Sequence, residues 1–283
     1  MAEAASAWKA LEAELAAWAE AGRNATFWWR DDDATTGSAA LNQLLYLSDE
    51  FSVPLALAVV PKLADSALVQ AIGQMPRITP IVHGYAHINH APAHEKQAEF
   101  GGHRSITDMC AELAQGLALL RDRFGGRLLP ILVPPWNRLD IMLAPHLPAL
   151  GFCGVSSFRP AAQRQPAPGL VQTNCHIDSI DWHAQRGQRP AQTILEEMTA
   201  LLRVRRLYPD IPSDILVFGK PLPAGFDPDE PTGILTHHLI QNAPSWDFLS
   251  QLLRFISAHC RDGGGARWLD CAEAFKADAA SAA

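Results

Sequence analysis

Short apolar runs alternate with stretches of helical periodicity along most of this chain. Trp8, Leu11, Leu15 and Trp18 recur at helical spacing with Lys9, Glu12, Glu14 and Glu20 between them, so residues 1–22 read as an amphipathic helix packed on the body. Beyond it, residues 26–29, 55–60, 81–82, 129–133, 151–155, 215–218 and 233–235 read as buried strands. Helical patterns over 39–51, 106–124, 191–205 and 245–259 separate them. Alternation on this scale predicts an α/β fold with a mostly parallel sheet, and about seven strands close economically as a distorted (β/α) barrel. Residues 23–275 then form one domain with its functional groups at the C-terminal ends of strands, and 276–283 form a small-residue tail that frays. The Pro/Gly-rich segments 159–169 and 220–233 are long loops within that domain.

Composition narrows the partners. A net charge of −7 without any Lys/Arg run leaves no electrostatic footprint for nucleic acid or an anionic membrane, and favours a small neutral or polar substrate. Residues 1–21 lack the basic start and continuous apolar core of a signal peptide, and no apolar stretch is long enough to span a bilayer, which predicts a cytoplasmic protein. Cys110, Cys153, Cys175, Cys260 and Cys271 are odd in number and lack a C-x-x-C pair, so reduced thiols are expected rather than a disulfide framework or thiolate zinc site.

The candidate chemistry begins at Asp31-Asp32-Asp33, three carboxylates where the first strand surfaces. Carboxylates this close repel one another unless a cation sits among them or one is protonated; the alternative is a solvated acidic turn. His83 and His87 end the 81–82 run, and a helical turn starting at Gly84 would aim both rings at one point. With an acidic residue they complete an N,N,O set that leaves metal positions open. Pro134-Pro135-Trp136 follows 129–133, with Trp136 either a sugar-stacking platform or a core residue. Asp181-Trp182 and then His237-His238 fall at further strand ends, and Asp181 is the candidate carboxylate to orient a histidine acting as general acid. The His/Lys/Glu-rich segment 90–101 reads as an ordinary solvated loop and helix start, with substrate contact as the alternative, and His176 as a packing or surface residue.

The ordered set of acidic cluster, H-x-x-x-H, P-P-W, D-x-x-D-W and L-x-H, spanning residues 26–238, resembles the five motifs of the polysaccharide deacetylases with the NodB-type distorted barrel. The resemblance implies Asp32 as catalytic base and Asp33 as metal ligand, with Asp31 and Asp32 as the alternative register. It implies His83 and His87 as metal ligands, His237 as general acid and Asp181 as the residue that tunes it. Pro135, Trp136 and Trp182 line the substrate groove. The family's third motif opens with an Arg that orients the catalytic Asp, whereas Leu132-Val133-Pro134 stands here, so Arg30 or Arg138 is expected to supply that charge. Arg30 is also grouped with the substrate-binding residues. A backbone N–H near Tyr85 or in the Pro135 loop is the expected oxyanion donor.

The implied activity is metal-dependent removal of the N-acetyl group from an amino sugar or small glycan precursor. Zinc is the first choice of metal, with cobalt, nickel and manganese as alternatives. The rival readings are a related hydrolase of a non-sugar C–N amide bond and a non-catalytic carbohydrate-binding relative.

Overall fold

The computed structural model describes residues 2–73, 75–182, 187–261 and 263–276, so the expected tail lies almost entirely outside the described residues. Its strands are β1 (Ala25–Ala34), β2 (Leu55–Val59), β3 (Ile78–His83), β4 (Ile131–Val133), β5 (Gly154–Val155), β6 (Val171–Gln172), β7 (Cys175–Asp178), β8 (Ile180–Asp181), β9 (Gly187–Gln188), β10 (Leu216–Val217), β11 (Lys220–Pro221), β12 (Thr232–Thr236) and β13 (Ala266–Trp268). The helices are α1 (Ala2–Glu20), α2 (Ala39–Glu50), α3 (Ser66–Ile72), α4 (Ile106–Phe124), α5 (Leu147–Leu150), α6 (Ala191–Leu207), α7 (Ala243–Ala258) and α8 (Cys271–Ala274).

One parallel sheet runs in the order β6-β5-β4-β3-β2-β1-β12-β7, with β13 paired to the start of β1. Its ends curl together: Phe158, just beyond β5, bridges Cys175 of β7, which gives the distorted barrel expected for a NodB-type α/β fold. Strand alternation sorts the side chains. Phe27 and Trp29, like Leu55, Leu57 and Val59, pack outward in the layer between sheet and helices. Trp28, Ala56, Ala58, Ile81, Ile131 and Leu235 fill the interior, where alanine suits the narrow lumen. The same period carries Arg30 and Asp32 inward above Trp28. Helices follow caps written in the sequence, with Ser38, Asp65, Ser105 and Asn242 each accepting a backbone N–H in the first turn. Helix α1 buries Leu11 and Leu15 and sets the buried Glu14 against Arg203 and Arg206 of α6. No described helix is long and apolar enough to cross a membrane, and all five cysteines are free thiols.

Residues 215–218 depart from expectation. Leu216–Val217 pairs antiparallel with Lys220–Pro221, outside the main sheet. Phe218 and Gly219 between them both have positive φ, +55° and +70°, the backbone of a two-residue hairpin turn. Conversely, β6, β7 and β13 join the sheet although their short, partly polar sequences gave no strand signal.

His176 on β7 is buried in a charged cluster instead of serving as a plain packing or surface residue. Its Nδ1 accepts the Gly233 N–H at 3.0 Å, tying β7 to β12, and its Nε2 faces Glu230 Oε2 at 3.1 Å. Arg205 pairs with the same carboxylate at 3.5 Å. A ring nitrogen that accepts an N–H carries no proton, so the imidazole is neutral, and burial holds its pKa below the ordinary histidine value. The unfolded chain therefore binds this proton first as pH falls. Stability should be full above about pH 6.5 and decline as pH drops through the native pKa. Urea unfolding between pH 8 and 5 should show that slope, and His176→Gln should flatten it; equal slopes in both proteins would refute this assignment.

Candidate active site

The acidic triplet separates into three environments at the top of β1. Asp31 faces outward with Trp29, as the strand period requires. It accepts from Thr236 Oγ1 at 2.7 Å and from the His238 backbone N–H at 3.0 Å, and its other oxygen meets His238 Nδ1. Trp29 Nε1 donates to the same Thr236 hydroxyl at 2.9 Å. Asp31 and His238 thus lock the end of β1 to the end of β12, which accounts for the second histidine of the pair.

Asp32 faces the interior, where Arg30 grips it with a two-pronged contact, Nε to Oδ1 at 2.9 Å and Nη2 to Oδ2 at 3.0 Å. The guanidinium is completely buried and also donates to Asn137 Oδ1 at 2.7 Å and Ser156 Oγ at 2.6 Å. Burial would depress the Arg30 pKa, but the charge and hydrogen bond of Asp32, together with Cys175 and Asp178, outweigh it and raise the value, so the pair is ionic. Placement among the substrate-binding residues is therefore corrected: a side chain sealed beneath Asp32 cannot reach the groove. Arg138 is also turned elsewhere, donating to the Gln97 carbonyl at 2.7 Å. Arg30, two residues ahead of Asp32 on the same strand face, is the cation that meets the Asp32 carboxylate.

Asp33 should point outward like Asp31. It does not, because the pairing of β1 with β2 shifts register between Asp31 and Ala34 and Asp33 takes a φ of +72°. The bulge brings Asp33 Oδ1 to 2.9 Å from His83 Nε2 and 3.1 Å from His87 Nε2. All three ligating atoms lie within 4.8 Å of one another. His83 Nδ1 is 3.0 Å from the Val133 carbonyl, which fixes a proton there, so Nε2 donates to the Asp33 oxygen when the ring is protonated and turns a lone pair toward a cation when it is not. Two acceptors at this distance need a proton or a cation between them, and the donor set fits a divalent metal. Burial would raise the Asp33 pKa, but hydrogen bonds with His83 and His87 hold its carboxyl far below the usual carboxylate range.

The histidines converge without the helical turn expected at Gly84. Gly84 and His87 both have left-handed backbones, φ +58° and +57°, and the loop between them is irregular. Trp136, also left-handed at φ +56°, packs on His87 with ring centroids 4.4 Å apart, and Pro135 is buried beside Gly84. The Tyr85 N–H is not a free oxyanion donor, since it is bonded to Glu99 Oε2 at 3.1 Å.

On the opposite wall, His237 at the end of β12 brings Nε2 to 4.0 Å from Asp32 Oδ2. Trp182 meets it edge-on, centroids 4.7 Å apart. Asp181 is half-buried in the hairpin of β8 and β9. Asp178, three residues earlier, is buried deeper: it accepts from Ile180 N–H and Trp182 Nε1, each at 2.8 Å. Burial raises its pKa while the charge of His237 opposes the rise, so a carboxylate with a direct electrostatic link to His237 is Asp178. Sequence reasoning passed over Asp178, Asn137, Ser156 and Glu99. Asp178 had a visible signal, as the first acid of D-x-x-D-W; the other three are recognisable only in space.

No family model matches the sequence, and no curated protein matches it. Solved structures do match its fold. A CE4 esterase from Streptococcus mutans aligns with a TM-score of 0.55 and 10% identity, covering 87% of this chain and 86% of its own. A mutant of the peptidoglycan deacetylase PdaC from Bacillus subtilis gives 0.51 and 12%, covering 89% and 90%. The chitin deacetylase of Colletotrichum lindemuthianum gives 0.50 and 15%, covering 89% and 87%. The chain has the fold of the NodB-type polysaccharide deacetylases.

Proposed function

We propose that this chain is a metal-dependent deacetylase that hydrolyses the N-acetyl group of an amino sugar or small glycan precursor. One observation carries the reading: a convergent Asp33, His83 and His87 set stands beside an ion-paired Asp32, with His237 4.0 Å from that carboxylate. Asp33, His83 and His87 would hold a divalent cation, zinc by preference, with cobalt, nickel or manganese suited to the same donors. Bound there, the ion supplies Lewis-acid polarisation of the amide carbonyl and lowers the pKa of water.

The remaining steps belong to side chains. Asp32 takes a proton as water attacks the acetamide carbon, and the two-pronged contact from Arg30 keeps that carboxylate aimed. His237 delivers a proton to the departing nitrogen as the C–N bond breaks, releasing acetate and an amine. Asp178 fixes Trp182 against His237, and Asp181 stands in the adjoining hairpin as the second acid on that wall. Trp136 and Trp182 flank the entrance, where sugar rings can stack, and Pro135 stiffens one side.

Acetate release from a panel of N-acetylated amino sugars, before and after chelation and metal reconstitution, tests the reading. Activity that survives complete chelation would overturn it. Trp182 is 43% exposed, so its removal should cost binding more than folding. Trp182→Ala is expected to lose about 1 kcal/mol of substrate binding, a severalfold higher KM on oligomers. An unchanged KM would remove Trp182 from the groove.

A further inference from the structure

We infer that Glu99 is a positioning residue that clamps the metal-binding loop; the inference rests on the metal reading proposed above. Glu99 is completely buried, and its two oxygens take N–H groups from both sides of His87. Oε1 accepts from Ala86 at 2.8 Å and Ile88 at 3.4 Å, and Oε2 from Tyr85 at 3.1 Å. His87 has the left-handed backbone, φ +57°, that a residue with a side chain adopts only when its surroundings impose it. The flanking N–H groups fastened to one carboxylate are that constraint. Gly84 shows how close the fit is, since a Cβ there would lie 2.2 Å from Glu99 Oε2 and 2.6 Å from the Pro135 ring.

The clamp is itself anchored. Arg104 donates to the Glu99 carbonyl at 3.0 Å and pairs with Glu112 of α4 through two contacts of 2.8 Å. Asn89 Oδ1 holds the Ala98 N–H at 2.9 Å, and Phe100 bridges to Leu139 beyond the Trp136 loop. The segment 89–101 is therefore a strap joining α4 to both walls of the metal loop. Among the described residues no cationic side chain forms an ion pair with Glu99, so backbone N–H groups meet its charge. Burying a carboxylate this way is costly for stability alone, and it is explained by three N–H groups on the two sides of one ligand needing acceptors, two on Oε1 and one on Oε2. Glutamine offers one acceptor and turns an NH2 toward an N–H; aspartate keeps the charge but falls a methylene short.

The test is the affinity of purified full-length protein for Zn2+ and Co2+, by competition with a chromophoric chelator. The proteins are wild type, Glu99→Gln, Glu99→Asp and Glu14→Gln. Glu14 is another buried carboxylate, paired with Arg203 and Arg206 between α1 and α6. Both Glu99 variants should bind metal about tenfold to a hundredfold more weakly, while Glu14→Gln lowers the melting temperature but leaves affinity unchanged. Folded Glu99 variants with wild-type affinity, an equal loss in Glu14→Gln, or failure of both Glu99 variants to fold would each overturn the positioning role. Wild type that binds neither ion would instead overturn the metal reading on which it rests.

Discussion

Asp32→Asn should lose turnover and keep its metal, whereas Asp33→Asn should lose the metal. Although adjacent, the two carboxylates occupy different chemistry: Asp33 Oδ1 lies between two imidazoles at 2.9 and 3.1 Å, and Asp32 lies against Arg30 at 2.9 Å. An amide at position 32 has the shape of the carboxylate but no proton affinity. Removal of a general base costs on the order of a hundredfold to ten-thousandfold in kcat. The substitution also leaves Arg30 charged without its partner, so a stability loss of about 3–5 kcal/mol is expected and metal content must be read on folded protein. Asp31→Asn should affect stability through Thr236 and His238 more than turnover. Metal stoichiometry and kcat for the three variants decide the matter. Metal loss in Asp32→Asn with retention in Asp33→Asn would exchange the two roles.

Arg30→Met should be the next most damaging change. It keeps much of the side-chain volume but leaves Asp32 buried without its counter-charge, a situation worth about 3–5 kcal/mol of stability. Asp32 can relieve that cost by taking up a proton, which removes the base. Loss of a neighbouring positive charge raises a carboxylate pKa, so more alkaline solution is needed to ionise it. The acid limb of the rate profile should therefore move to higher pH, and kcat at neutral pH should fall by about a hundredfold or more. Arg30→Lys keeps the charge but not the fork and should lie between. The double variant Arg30→Met with Asp32→Asn should be more stable than Arg30→Met alone, because no buried charge is then unpaired. A profile that keeps its acid limb in folded Arg30→Met would show that the arginine only fills space. Full activity in that variant would leave the charge missing before Pro134 without a replacement here.

Where chemistry follows strand periodicity, the sequence is legible. Trp28, Arg30 and Asp32 share one face because β1 is regular to that point, and the strong apolar runs of β1, β2 and β12 mark the site's strand ends. Asp33 breaks the period through a bulge that depends on how β1 pairs with β2, so only the family resemblance, not the pattern, made it a ligand. His83 and His87 are visible as a pair, but their convergence through left-handed residues depends on Glu99, twelve residues further on. The polar segment that carries Glu99 resembles a solvated loop because its buried partners are backbone N–H groups, which leave no trace in side-chain composition. Short strands such as β6 and β7 are equally hidden, since neighbours across the sheet bury them in place of long apolar runs. Residues 216–221 show the opposite error, a local apolar run whose Phe218-Gly219 turn folds it back on itself. Asp178 outranks Asp181 in burial for the same spatial reason: it ends a strand paired to β12, and Asp181 stands in the hairpin beyond.

The most direct test of the proposed chemistry is a metal titration of acetate release. Metal-free protein is given increasing Zn2+ or Co2+, and acetate and free amine are quantified from N-acetylglucosamine and its oligomers. The expected result is equal amounts of acetate and amine, with a rate that rises in proportion to bound metal and saturates at one ion per chain. Saturation with one ion and no acetate from any of these sugars, or release that is independent of metal, would contradict it.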